Sequence, residues 1–275
     1  MTVSVVTVAA GRGTHLRRQL DGVARSTRTP DEHIVVAMGD PEVAEVVAAA
    51  GSSARVVEMD VDSAKLPVGE ARNLGARRAS SDLLVFLDVD CIPAPDLIER
   101  YAEAAGRHPA ALLNGPVTYL SEPDTGGYDL DRLGDSIDPH PARPFPSSGE
   151  IVLDDRHELF WSLSFAARSL VWDRIGGFCT AYSGYGGEDT DFGQKAARAG
   201  VPMAWVGGAH AFHQYHPVSS PPVEHLDDIL TNAALFQQRW GWWPMRGWLD
   251  EFERLGLVHY DADERRWRKM TSPRP

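Results

Sequence analysis

Residues 83–90 read LLVFLDVD: the apolar run Leu83–Leu87 passes directly into Asp88-Val89-Asp90. Apolar side chains at successive positions need cover on both faces, which is the pattern of a strand inside a mainly parallel sheet. The same punctuation repeats toward the N-terminus. Val3–Val8 (VSVVTV) predicts a strand ending at Ala9-Ala10-Gly11, and Leu16, Leu20 and Val23 give helical spacing over His15–Arg25. His33–Met38 (HIVVAM) is a second strand, and Pro41 opens an Ala/Val-rich helix to Ala50 with Asp40 as its N-cap. Arg55–Met59 makes a third strand, and Val68–Ser80 an amphipathic helix that leads into the quoted run. Strand–helix alternation of this kind predicts an α/β fold, a Rossmann-like mainly parallel central sheet flanked by helices. Ligands of such sheets collect at the carboxyl ends of the strands. Ala9–Arg12, Asp40 and Asp88–Asp90 therefore matter most.

The second half of the chain reads differently. Ser121–His157 is rich in Asp, Gly, Pro and Ser and is expected to be a long functional loop. Trp161–Arg168 returns to apolar character, Ser183–Gly187 is a glycine-rich turn, Asp189–Ala199 a helix and Met203–Val206 a short strand. Pro222–Leu257 reads as helical and Trp-rich, and the polar tail after Asp261 is expected to fray. There is no internal repeat.

Composition narrows the function classes. With 275 residues, 43 % apolar and 24 % charged, the chain suits one large α/β domain. A net charge of −12 argues against wrapping nucleic acid, which demands clustered cations. Two cysteines, Cys91 and Cys179, make neither a disulfide framework nor a zinc site by themselves. The N-terminus lacks the pattern of a signal peptide, and no window is apolar enough to span a bilayer. The expectation is a cytoplasmic protein.

Four constellations carry chemistry. Asp88 and Asp90, two residues apart at a strand end, offer hard oxygen ligands for Mn²⁺ or Mg²⁺; a solvated acidic turn is the plainer reading. His210, His213 and His216 recur every third residue in GGAHAFHQYHP, and extended backbone puts at most two of them on one side. Glu188, Asp189 and Asp191 open a helix after Gly184, Gly186 and Gly187. They are either dipole-favoured surface acids or carboxylates that include a general base. Gly11-Arg12-Gly13 is a turn able to present N–H groups to phosphate.

Together these segments resemble the family-2 glycosyltransferases. VSVVTVAAGRGTHLRRQLDGV resembles that family's first strand and helix, and GEARNLGARRASSDLLVFLDVDCIP the segment ending in its DxD motif. WSLSFAARSLVWDRIGGFCTAYSGYGGEDTDFGQKAARAG is similar to the acceptor-side segment of the galactosyltransferase and N-acetylgalactosaminyltransferase branches. The resemblance, over roughly residues 3–218, implies a GT-A fold in which residues 1–220 form the catalytic domain. Residues 1–118 would be its nucleotide-sugar half and 119–220 its acceptor and metal half, with 221–275 a helical extension of the same domain. It implies Asp189 as catalytic base and Glu188 as the residue orienting sugars. Ala9, Arg12, Asp40, Arg72, Asp88 and Val89 would contact the nucleotide. Asp90 would ligate Mn²⁺ or Mg²⁺ with His216, His213 being next and His210 third. Trp161, Tyr185 and Trp205 are candidate stacking platforms for sugars, and Gly187 lets backbone approach them.

The implied partners are a nucleotide diphosphate sugar, UDP-sugar first, and a carbohydrate or other hydroxyl acceptor. The usual acidic pair after the second strand is reduced here to Asp40. A rival reading takes AAGRGTHL as the signature of a sugar-phosphate nucleotidyltransferase, but the first lysine, Lys65, lies too far along. Another is a non-catalytic nucleotide- or carbohydrate-binding protein on the same fold. Trp240, Trp242, Trp243 and Trp248 cap their own core or offer peripheral membrane contact.

Overall fold

The computed structural model describes residues 1–63 and 65–270. In chain order the first half holds β1 (Val3–Ala9), α1 (Gly13–Ala24), β2 (Glu32–Met38), α2 (Glu42–Ala49), β3 (Arg55–Met59), α3 (Val68–Arg78) and β4 (Leu83–Leu87). Each element predicted from periodicity is present. Asp40 accepts the Glu42 N–H at 3.0 Å, so its carboxylate caps the start of α2 across Pro41. The third helix stops at Arg78 because Ser80 is committed to Glu32, through both its N–H and its hydroxyl.

Next come β5 (Cys91–Pro93), α4 (Leu97–Arg107), β6 (Leu112–Asn114), β7 (Val117–Tyr119), β8 (Ile151–Asp154), β9 (Ser164–Arg168), α5 (Ser169–Ile175) and α6 (Glu188–Arg198). The chain continues with β10 (Met203–Val206), β11 (Ala211–His213), α7 (Leu226–Trp240), α8 (Arg246–Arg254), β12 (Val258–Asp261) and β13 (Arg266–Lys269). The eight-stranded central sheet has the order β3-β2-β1-β4-β9-β6-β10-β8. Only β9 and β8 run against the others. One face is packed by Leu16, Val43 and Val47 from α1 and α2 and by Leu97, Ile98 and Tyr101 from α4. The other carries stacked aromatics, with Phe86 against Phe165 and Phe178 against Phe192. A small sheet, β5-β11-β7, stands at the carboxyl end of β4.

Three expectations need correction. The segment 121–157 is not wholly irregular: its end forms β8, which pairs antiparallel with β10 at the sheet edge. An edge strand buries little, so Val152 and Leu153 stay exposed and give no apolar signal. The helical run 222–257 is broken at Gly241, whose φ of 81° ends α7. The tail does not fray within the described residues: β12 and β13 pair as a hairpin, and Trp267 packs on Leu249 and Phe252. Trp243 and Trp248 also pack against that cluster, whereas Trp242 is 39 % exposed.

Asp191 joins the C-terminal helices to the sheet. It is fully buried and accepts hydrogen bonds from Arg239 Nε at 2.6 Å and Trp240 Nε1 at 2.7 Å. Replacing Asp191 by Ala is expected to cost about 1–3 kcal/mol, because the Trp240 indole N–H and the Tyr182 hydroxyl lose their buried acceptor while Arg239, 34 % exposed, can turn to water. Urea unfolding measures this; a loss below about 1 kcal/mol would rule out the anchor.

Candidate active site

The acidic turn is held from three directions. Asp88 N–H donates to the Leu163 carbonyl at 3.0 Å, and Cys91 N–H closes the turn onto the Asp88 carbonyl at 2.8 Å. From α1, the buried Gln19 amide donates to the Asp88 carbonyl at 2.6 Å. β11 lies antiparallel to β5 with His213 opposite Cys91, and Gln214 N–H donates to the Asp90 carbonyl at 2.7 Å. That register carries the histidines to the carboxylate. His213 Nε2 is 3.6 Å and His216 Nε2 is 3.8 Å from Asp90 oxygens.

Asp90, His213 and His216 offer ligand atoms within 4.8 Å of one another. Burial lowers the pKa of both histidines and favours the neutral imidazole that a metal requires. One carboxylate and two imidazoles suit Mn²⁺ better than Mg²⁺, which prefers all-oxygen shells. Arg12 Nη1 now donates to Asp90 Oδ2 at 3.0 Å, so the carboxylate already faces a cation. His210 is excluded from the cluster: it is buried and points to Thr118 Oγ1 at 2.9 Å.

A second cluster adjoins the first. Arg72, 4 % exposed on α3, donates to Asp88 Oδ1 at 2.8 Å, and its Nη1 lies 3.5 Å from Asp189 Oδ1. Helix α3 reaches this depth because Gly75 meets β1, where a Cβ would collide with Val6. Burial opposes the charge on Arg72, yet Asp88, Asp189 and Glu188 outweigh it. Asp189 Oδ2 accepts the Ser162 N–H at 3.0 Å, and Oδ1 has no hydrogen-bond partner. Gly187 (φ 92°) turns the chain into α6, so Glu188 and Asp189 occupy its first turn. Burial, and then Asp189, push the Glu188 carboxyl up to about 8.

Other expected residues fall as follows. Ala9 is buried at the end of β1, and Val89 packs into the core with Leu16 and Leu20. Asp40 Oδ2 accepts the Gly11 N–H at 2.7 Å, bracing the two neighbouring strand-end loops. Tyr185 is 37 % exposed and stacks on His225, with centroids 4.4 Å apart. Trp161 is half-buried beside Arg143. Trp205 is not a platform: it is fully buried in the aromatic core. Lys65 pairs with Asp228 at 2.7 Å and so is no phosphate ligand for the nucleotidyltransferase reading. No pattern in the sequence points to the pairing of Arg12 with Asp90 or to a role for Arg143. Gln19 did leave a signal, as a polar residue between Leu16 and Leu20 on the apolar stripe of α1. A cavity of about 640 Å³ lined by His210, Phe212 and Phe145 contains none of Asp88, Asp90 and Asp189.

The sequence pattern of Glycosyl transferase family 2 matches residues 4–157, more than half of the chain. The chain belongs to glycosyl transferase family 2. A second pattern, the N-terminal domain of galactosyltransferase, matches residues 155–217 of this family-2 chain. Validoxylamine A glucosyltransferase of Streptomyces hygroscopicus subsp. limoneus is 28 % identical over 222 residues, covering 73 % of this chain and 49 % of that protein. Chondroitin synthase of Escherichia coli is 25 % identical over 190 residues, covering 61 % and 28 %. The chain thus spans about half the length of the glucosyltransferase it matches, and less of the synthase. Among solved structures, GalNAc-T7 with UDP, GalNAc and Mn²⁺ superposes with a TM-score of 0.59 at 16 % identity, covering 78 % of this chain and 43 % of that one. S. aureus TarS 1–349 in complex with UDP-GlcNAc has a TM-score of 0.59 at 14 % identity, covering 85 % and 66 %. At these identities the likeness establishes the GT-A fold.

The raised Glu188 carboxyl has a sign-determined consequence. The native state keeps a proton that the unfolded chain releases near its ordinary value of 4.5, so this group lowers stability as pH rises toward about 8. Glu188→Gln removes the effect. Its melting temperature should exceed that of the unsubstituted protein at pH 9 and nearly equal it at pH 4; the same difference at both would contradict the burial argument.

Proposed function

We propose that this chain is an inverting, divalent-metal-dependent glycosyltransferase that moves a hexose from a nucleotide diphosphate sugar, UDP-sugar first, to a hydroxyl acceptor. The observation that carries the reading is one continuous array: Asp90 with His213 and His216, then Asp88, Arg72 and Asp189 in sequence. Asp90, His213 and His216 would hold Mn²⁺, which when bound neutralises diphosphate oxygens and improves the leaving group.

Asp189 is the proton acceptor. Ser162 N–H fixes one carboxylate oxygen, and the other has a free lone pair for the acceptor hydroxyl. As the hydroxyl oxygen attacks the anomeric carbon, its proton passes to Asp189 and the bond to the diphosphate breaks. A single displacement of this kind inverts the anomeric centre. Arg72, already charged and buried, stabilises the departing diphosphate beside Asp88 without reorganising. Glu188, protonated near neutral pH, donates a hydrogen bond to a sugar hydroxyl. Trp161 and the exposed face of Tyr185 support the pyranose rings, and Gly187 lets the α6 N-terminus come close. Ala9, Arg12, Asp40 and the Val89 backbone border the nucleotide.

The two unpaired cysteines suit a reducing, cytoplasmic setting, and no described helix is long and apolar enough to cross a membrane.

Asp189→Asn should lower transfer by about 10²–10⁴-fold while UDP still binds; near-normal turnover in a folded variant would sink the assignment. UDP should raise the melting temperature only with Mn²⁺ present, and His213→Ala should abolish that dependence. A shift equally large in EDTA would remove the metal from the reading.

A further inference from the structure

In the irregular segment before β8, His140, Pro141 and Ala142 are exposed, while Arg143 is only 6 % exposed. Its guanidinium lies between two indoles, 5.1 Å from the Trp161 ring centroid and 4.5 Å from that of Trp205. None of its nitrogens, Nε, Nη1 or Nη2, has a hydrogen-bond partner. Packing alone does not call for this residue, since an apolar side chain would fill the gap without removing a charge from water. Stacking on indoles offsets part of that penalty but leaves a rigid fork of donors unused.

Asn114 repeats the pattern. It ends β6, stands beside Trp205 in register, is fully buried, and both of its amide atoms are unpartnered. Both residues lie against Trp205 near the carboxyl ends of the strands, where sheets of this kind take ligands. Trp161 leads directly into Ser162, whose N–H holds Asp189. Trp161 is only half-buried, with exposed His140 edge-on at 5.0 Å, so that side of the sandwich is nearest to solvent.

We propose that Arg143 and Asn114 recognise a carboxylate carried by a sugar ring, so that one of the two substrates is a uronic acid. The inference rests on the glycosyltransferase reading for the sugar and on the orphaned donors for the carboxylate. A planar carboxylate matches the guanidinium fork in charge and geometry, and the Asn114 amide adds a donor. A neutral hexose leaves the guanidinium donors unused, with the field of Asp189 offsetting only part of the burial cost. The uronic acid arrives either as the donor's sugar or as the acceptor's terminal ring, and both present the same group.

Calorimetric titration with Mn²⁺ present separates the two sources. One pair of probes is UDP-glucuronate against UDP-glucose; the other is methyl glucuronide against methyl glucoside, added with UDP. The carboxylate probe of one pair should bind about 10-fold tighter or more, and Arg143→Gln should erase that preference. The pair that shows it identifies donor or acceptor. Equal affinities within both pairs for the unsubstituted protein overturn the proposal, whether or not the variant folds. A preference that survives Arg143→Gln in a protein with an unchanged melting curve overturns it too. If UDP itself fails to bind, the nucleotide reading falls, and the methyl glycoside pair still decides the carboxylate site.

Discussion

The buried guanidinium of Arg72 is the interaction on which the site depends. A charge at 4 % exposure is costly unless it is paired, and here two carboxylates from separate parts of the chain face it, Asp88 after β4 through a hydrogen bond and Asp189 at the start of α6 through its charge. The pairing fixes the distance between the acidic turn and the helix that carries the proposed base. It also explains the close seat of α3 on β1, which Gly75 permits. The field in this region is shared among three carboxylates and one guanidinium, and Glu188 is the group left protonated by it.

Much of the fold was legible because burial writes itself into sequence as apolar runs. The strands Val3–Ala9, Glu32–Met38 and Leu83–Leu87 are covered on both faces, and their boundaries fall where polar or glycine residues begin. Elements that bury little were illegible for the same reason. β8 sits at an edge with Val152 and Leu153 exposed, and the β12–β13 hairpin turns just Val258 and Trp267 into the core among polar or exposed neighbours. Gly241 does interrupt the C-terminal helical pattern, but a glycine is a weak stop signal until its φ is seen.

At the site, the sequence separated residues by chemistry but not by direction. Strict alternation along an extended chain would put His210 and His216 on one side and His213 on the other; because β11 ends at His213 and the chain turns away there, it is His213 and His216 that both reach Asp90. Asp40 shows the opposite limit: its type suits a ligand, yet both its oxygens are engaged by backbone N–H groups of Gly11 and Glu42. Arg143 was invisible because its neighbours in sequence are exposed, and its burial comes from two tryptophans 18 and 62 positions further along.

Asp189 and Asp191 stand two positions apart, about 200° around α6. One faces Ser162 and Arg72; the other faces Arg239 and Trp240 of α7. The helix is therefore keyed on opposite sides, like a shaft held by two pins. Slipping it by one residue would rotate it about 100° and release both pins together. The rotational phase of the helix, and with it the aim of the carboxylate, is set as much by the C-terminal helices as by the sheet beneath.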